Sequence, residues 1–463
     1  MTTASARIAS FAANFCAQPL SDAQRHLAYR AFLDTFSVAV AGRNEEASRI
    51  AGHYLRDMVG MGKASAWSSG ELMPPESAAL FNGISGHVLD YDDVMQPMRG
   101  HPSVVLLPAL AALAQVTGAD GTRFSSAYIA GFEVLAKISG VMAIRHASKG
   151  WHPTATLGVL GAVTACSALL GLNETQICHA IGLAVAQAAG NRQNFGTMAK
   201  AFQVGQAGAA AVRAALLAQA GYDAPMDALD GKYGYMTLYA QKEDLSSALA
   251  ALGDAPLEID TVGLDVKKYP CCYAIHRTLD GVLEMRAQHG LDLDTVDSVE
   301  IVTNACGLEP LTYPDPHTEL EAKFSMEYPV AAALLDGNIK LASFTDRNVN
   351  RPAIRVFLPR IKKRESAGAV LPRWAEIKMR LRNGTTLERR ITSSRGDAQN
   401  PLTDDELIEK TEDCFSCAGA EWPARAFAET VLDMSNLRVD DVLRRLPQAQ
   451  AAAGIARQRK MVF

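Results

Sequence analysis

The sequence lacks most of the short signatures that mark large enzyme classes. It holds no Gly-x-Gly-x-x-Gly, no Gly-x-Ser-x-Gly and no His-Glu-x-x-His, and Gly62-Lys63 stands without the earlier glycine of a phosphate loop. Dinucleotide enzymes, common α/β-hydrolases, zincins and P-loop NTPases are therefore disfavoured. Cysteine is scarce, at eight in 463 residues, and Cys271 and Cys272 are adjacent, which excludes a disulfide framework. Cys414-x-x-Cys417 has no second pair and falls in a helical pattern, so it reads as a buried structural thiol pair rather than a zinc or redox motif. An iron–sulfur site would need three well-placed cysteines. Basic charge is not in excess: 45 Lys and Arg face 50 Asp and Glu, a net charge of −5, which argues against a nucleic-acid partner. The longest weakly polar stretch, Leu157 to Leu172, reads as too short for a bilayer, and the N-terminus has no tripartite signal. The expectation is a cytoplasmic protein without a membrane partner.

What is present is ample material for a core. Apolar residues make up 48 % and charged ones 21 %, and the length suggests two or three domains. Up to about residue 255 the pattern is helical, with apolar residues recurring at three and four (Phe81, Ile84, Val88, Tyr91). Ser21-Asp22 and Gly42 bracket one helix as cap and stop. Segments 157–172 and 180–190 are apolar nearly all round, as in helices at the centre of a bundle. The texture then changes. Residues 296–304 and 353–358 lean toward strand, and Ala375–Arg382 alternates strictly before Asn383-Gly384 and a second extended run to Thr392, a hairpin pattern. Arg360 to Arg364 reads as a solvated basic loop, and helical pattern returns from about 402 to 446. The fold class is mainly α: an all-helical domain of residues 1–258 and 400–463, with an α+β lid of residues 259–399 inserted.

Two helix starts share a triplet: His101-Pro102-Ser103 and His152-Pro153-Thr154. Proline suits the first turn, the hydroxyls of Ser103 and Thr154 can serve free N–H groups, and the helix dipole favours an anion there. An imidazole beside such a start can act on that anion, although His-Pro-Ser/Thr is also simply a good way to begin a helix. Upstream, His87, Asp90 and Asp93 would share one helical face while Asp92 points elsewhere. Acids at a helix C-terminus oppose the dipole, so either this end is solvated or Asp90 orients a histidine. Lys200 follows a Gly/polar break, and Lys267-Lys268-Tyr269-Pro270 precedes His276 at the change of texture; these cations could hold an anionic ligand. Phe324 to Pro329, containing Tyr328, opens a helix of the lid.

Taken in order, HVLDYDD, HPS, GWHPTATLG, GTMAK, KKYPCCYAIH and AKFSMEYPVA resemble the MmgE/PrpD family, from LDTFSVAVAG to the C-terminal helices. The family includes 2-methylcitrate dehydratases, cis-aconitate decarboxylases and iminodisuccinate epimerases. The resemblance implies a helical domain with a smaller lid, a site in the cleft between them, a homodimer, no metal and no cofactor. It implies a small di- or tricarboxylate substrate and site positions at Asp90, His101, His152, Lys200, Lys267 and Tyr328, with His276 close by. Two departures stand out. Val94 replaces a common threonine, and Cys272 stands where cis-aconitate decarboxylases carry a histidine. The second departure counts against decarboxylation; as the family's namesake chemistry a 2-methylcitrate dehydratase-like hydro-lyase ranks first, with epimerisation or decarboxylation behind it. His101 and His152 would transfer protons, Asp90 would orient a histidine, and Lys200 and Lys267 would hold carboxylates. A helical protein that only binds carboxylates is the alternative from another class.

Overall fold

A computed structural model describes residues 2–240, 245–420 and 422–444. Its helical body begins as the sequence predicts: Ser21 forms a capping box with Gln24, and the helix Asp22–Ala41 ends at Gly42. The helices Ser103–Thr117, Gly121–Ser148 and Ala199–Gln219 pack around Gly158–Leu170, and all four are buried along most of their length. Two stretches, Gly121–Ser148 and Pro153–Leu170, are long and apolar enough to cross a membrane, which corrects the expectation for 157–172. In this fold 78 % and 94 % of their most apolar windows are covered by other parts of the body. A short hairpin, β1 (Ala64–Ser65) with β2 (Leu72–Met73), lies at the edge.

Small residues let two helices touch along their backbones. A Cβ on Gly83 of the helix Pro75–His87 would lie 2.7 Å from the Cα of Gly205, and one on Gly205 would lie 2.4 Å from Leu80 O. No side chain larger than hydrogen fits at either position. This approach brings the end of one helix, at His87, to the start of the other, at Lys200.

The lid carries a four-stranded sheet in the order β4-β3-β5-β6. Strand β3 (Val296–Thr303) pairs antiparallel with β5 (Ala375–Leu381), and β5 pairs antiparallel with β6 (Thr386–Ile391) around the Asn-Gly turn, as the alternation predicts. Two expectations fail. Residues Pro352–Phe357 form a helix opened by Pro352, and the basic run forms β4 (Ile361–Glu365), parallel to β3 on the sheet edge. There Ile361 faces the core, while Lys362, Arg364 and Glu365 are exposed, the charged pattern that guards an edge strand. The helices His276–His289 and Glu327–Asp336 complete the lid core.

Two large apolar cores result, beside a small cluster of Leu55, Met73 and Phe81. One spans Ala4 to Val266 and takes in Leu402 to Leu443, and the other spans Tyr269 to Ile391. The helix Asp404–Cys417 returns to the body, where Ser37 Oγ donates to Thr411 Oγ1 at 3.0 Å and Lys410 pairs with Asp34. Its Cys414 is buried but Cys417 is exposed, so the two do not form a buried thiol pair. The last two residues of the helical pattern expected to 446 lie outside the described residues.

Candidate active site

The helix Pro75–His87 stops at His87, so the face expected to join His87, Asp90 and Asp93 does not exist. Instead Asp90 takes a left-handed backbone conformation, φ 53°, one that aspartate tolerates better than most residues. The turn sends three buried carboxylates in three directions, and no solvated acidic end remains. Asp93 accepts from the backbone N–H of Ser103 at 3.3 Å and from its hydroxyl. The N-terminus of the helix Ser103–Thr117 is thus already served by an internal anion. Ser103, whose hydroxyl also meets Tyr128 OH at 2.7 Å, does not reach the cleft.

Asp92, not Asp90, holds the histidines. His87 Nδ1 lies 2.8 Å from Asp92 Oδ2, and His101 Nδ1 lies 3.2 Å from the same oxygen. Burial alone would raise the Asp92 carboxyl, but His101 and His87 outweigh it and hold it far below its usual range. Burial, opposed in part by Asp92, pushes His87 down to about 4, so that ring is neutral near pH 7. The two rings meet edge to face, with centroids 4.6 Å apart.

Asp90 is clamped by both candidate lysines. Lys200 Nζ pairs with Oδ1, while Lys267 Nζ lies 3.0 Å from Oδ2 and also donates to the Asp90 carbonyl. Burial would raise this carboxyl too, yet Lys200 and Lys267 hold it well below the usual value. Lys267 is 1 % exposed, and its ammonium is raised against the effect of burial by Asp90 and Asp92. The lysines therefore neutralise an internal carboxylate as well as facing the cleft. His101 Nε2 completes the group, 3.7 Å from Asp90 Oδ1.

His152 enters from a second loop. Its N–H donates to Gly190 O at 3.2 Å, and Trp151 bridges Asn191, so the loop is stitched to the segment that carries Lys200. Gln203 fixes its tautomer. The Gln203 Oε1 accepts from the Asn191 N–H at 2.6 Å and from Asn194 at 3.0 Å, which turns the Nε2 amide toward His152 Nδ1 at 3.1 Å. Nδ1 is then an acceptor, and the neutral ring carries its proton on Nε2. Burial, His87 and Lys200 push this imidazole well below its ordinary pKa. The helix behind it starts with the turn Pro153–Thr156 and continues through Leu157 into Gly158–Leu170, as expected, and Thr154 Oγ1 accepts from the His101 N–H at 3.2 Å.

These side chains line one cleft of about 570 Å³, whose other wall is built by the lid. His101, His152, Asp90, Lys200, Lys267 and Thr154 are all on it. Tyr328, His276 and Lys268 are not. Tyr328 is buried in the lid core and its hydroxyl donates to Ser343 O. His276 is fully buried between the rings of Tyr269 and Tyr273, at 5.2 and 5.0 Å. Lys268 is exposed and lies against Tyr269, on the other side of the chain from Lys267.

Sequence reasoning also missed contributors. Asp92 was set aside by the helical wheel, and Gln203 sits within an otherwise unremarkable helix. Lys410, buried in the returning helix, donates to Tyr91 O at 2.9 Å and Lys267 O at 2.8 Å, supporting both strands of the site floor. Arg99, Arg192 and Arg373 reach the cleft from three different segments. The cleft lining therefore holds five cationic side chains (Arg99, Arg192, Lys200, Lys267, Arg373) against two carboxylates (Asp90, Glu309), an excess of three positive charges. Among the described residues, His87, Asp92 and His101 form the one group able to hold a metal ion, with ligand atoms within 4.8 Å of one another.

A helical body, a small α+β lid and a cationic cleft holding a histidine pair define a carboxylate-directed enzyme site. The sequence matches the MmgE/PrpD N-terminal domain over residues 6–248 and the MmgE/PrpD C-terminal domain over residues 269–436, and the chain belongs to that family. It is 29 % identical to the cis-aconitate decarboxylase of Homo sapiens over 395 residues, covering 82 % of this chain and 81 % of that one. The cis-aconitate decarboxylase of Mus musculus is likewise 29 % identical over 397 residues, with 82 % and 80 % covered. A cis-aconitate decarboxylase-like protein of Aspergillus oryzae is 25 % identical over 437 residues, with 88 % and 86 % covered.

Proposed function

We propose that this protein is a lyase acting on a small tricarboxylate of the cis-aconitate type. The observation that carries this reading is the charge of the cleft: an excess of three positive charges matches a trianion and no neutral substrate. The names of the relatives support testing decarboxylation first.

In that reaction the C–C bond to one carboxylate breaks and its carbon leaves as CO₂. The electron pair shifts through the adjacent double bond, and the far carbon takes a proton. His152, neutral and with its proton on Nε2, is the donor, and the ring recovers that proton from water in the cleft. His101, whose ring lies between the Asp92 and Asp90 carboxylates, is the base that the reverse transfer or a dehydration would use. The Lys200–Asp90–Lys267 cluster keeps one net positive charge beside the developing enediolate, in a setting where water does not screen it. Cys272 favours a second reading, dehydration of a 2-methylcitrate-like hydroxy acid. The cleft presents a thiol, kept neutral by burial, where the decarboxylase resemblance calls for an imidazole.

NMR of the full chain with cis-aconitate, citrate, 2-methylcitrate and iminodisuccinate in deuterated buffer tests both. Loss of CO₂ from cis-aconitate supports the first reading, and water loss from the hydroxy acids supports the second. No product and no solvent exchange with any of the four would overturn enzymatic action on this class.

A further inference from the structure

We infer that Arg373 is the anchor for the substrate carboxylate furthest from the histidines, and so the residue that makes the site select a tricarboxylate over a dicarboxylate. The inference rests on the tricarboxylate reading above. It starts from how the other four cations of the cleft are matched. Lys200 and Lys267 share Asp90. Arg99 and Arg192 share Glu309, at 3.6 and 3.1 Å. Arg373 has no ion-pair or hydrogen-bond partner among the described residues, although it lines the same cleft and is only partly exposed.

Its position adds to the case. Arg373 lies in the loop just before β5, on the lid, whereas the lysine clamp and both histidines come from or sit against the body. Its surroundings disfavour its charge: burial first, then Arg277 and Arg99, lower its pKa. A half-buried guanidinium with like charges nearby and five unused donors calls for an anion from outside, and its planar fork matches a carboxylate. A carboxylate held at the lysine clamp leaves a second one for Arg373 across the cleft. Binding would then tie the lid to the body through the substrate.

The experiment uses the full chain and tricarballylate, a saturated tricarboxylate without the reacting double bond, so that binding is read separately from turnover. Calorimetry compares tricarballylate with glutarate for wild type, Arg373→Gln and Arg373→Lys. The wild type is expected to prefer tricarballylate, and Arg373→Gln to weaken it about 10- to 100-fold, as loss of a charge-assisted bidentate contact does, while glutarate binding changes by less than threefold. Arg373→Lys should recover only part of the loss. With a turned-over substrate, KM should rise while kcat stays within about threefold. Equal weakening of both ligands, an unchanged tricarballylate affinity, or a wild type that does not prefer tricarballylate would overturn the assignment. Failure of the reactions above with intact tricarballylate selectivity would instead overturn only the proposed chemistry. A loss of structure in Arg373→Gln shows in its melting curve, and Arg373→Lys then decides.

Discussion

On the body side of the cleft, the ionisable groups of the sequence motifs are buried and paired with one another; on the lid side, Tyr328 and His276 are buried away from the cleft, which is faced by the motif residues Cys272, Tyr273 and Phe324 together with Glu309 and Arg373, which lie outside any motif. His87, His101, Asp90, Asp92, Lys200 and Lys267 form one connected set of contacts between 2.8 and 3.7 Å, closed by the Lys200–Asp90 pair. Tyr328 and His276, equally prominent in the sequence, fill space and satisfy backbone carbonyls. The difference teaches that a polar residue near a helix end has its role decided by which wall receives it. A preorganised electrostatic floor needs rigid neighbours, and the Ala- and Gly-rich body supplies them.

The largest effect is expected where the floor loses its centre. Asp90→Ala leaves two buried ammonium groups without their shared counter-charge. Turnover should become undetectable, and stability at pH 7 should fall by about 3–5 kcal/mol, the usual result of breaking a buried pair, read by urea unfolding. Because the Asp90 carboxyl titrates below its unfolded value, its contribution is present above about pH 4 and is lost as pH falls through the folded pKa. The loss caused by Asp90→Ala should therefore shrink in acid.

Next come the proton-transfer residues. His101→Gln and His152→Gln should each lower kcat by about 10²- to 10⁴-fold while the melting temperature stays within a few degrees. A large drop in melting temperature with modest loss of kcat would make these histidines part of the packing, and the contrast between the walls would fail. A smaller effect, on stability alone, concerns His87. The unfolded chain takes up that proton near pH 6.5 and the folded protein only near pH 4, so stability falls as pH drops across this window. His87→Gln should flatten that part of the stability profile. Tyr328→Phe sharpens the comparison from the lid side: kcat should stay within about twofold, and stability should fall by only about 1 kcal/mol for one lost hydrogen bond.

Much of this was legible from residue order. The capped helix Asp22–Ala41 and the alternating hairpin of β5 and β6 rest on local chemistry that a sequence states directly. So does the placing of His101 and His152 just before helix starts. The failures share a cause. Extending the helical wheel beyond His87 exchanged the roles of Asp90 and Asp92, because a single left-handed residue ended the periodicity. Residues 353–358 have strand-like composition, but Pro352 opens a helix that tertiary packing on Ile354 and Phe357 retains. The basic run became β4 because its partner, β3, lies some sixty residues earlier, beyond any local pattern. Gln203, Arg373 and Lys410 could not be read at all, since each acts through contacts distant in sequence.

Lys410 has a consequence for how the molecule comes into being. It reaches the carbonyls of Tyr91 and Lys267 from a helix encoded after the whole lid. During synthesis the floor must wait for that late helix to dock, so body, lid and the helix Asp404–Cys417 must all leave the ribosome before a competent cleft can exist. A chain cut short after the lid would keep both histidines and both lysines of the centre yet lack the strut beneath them.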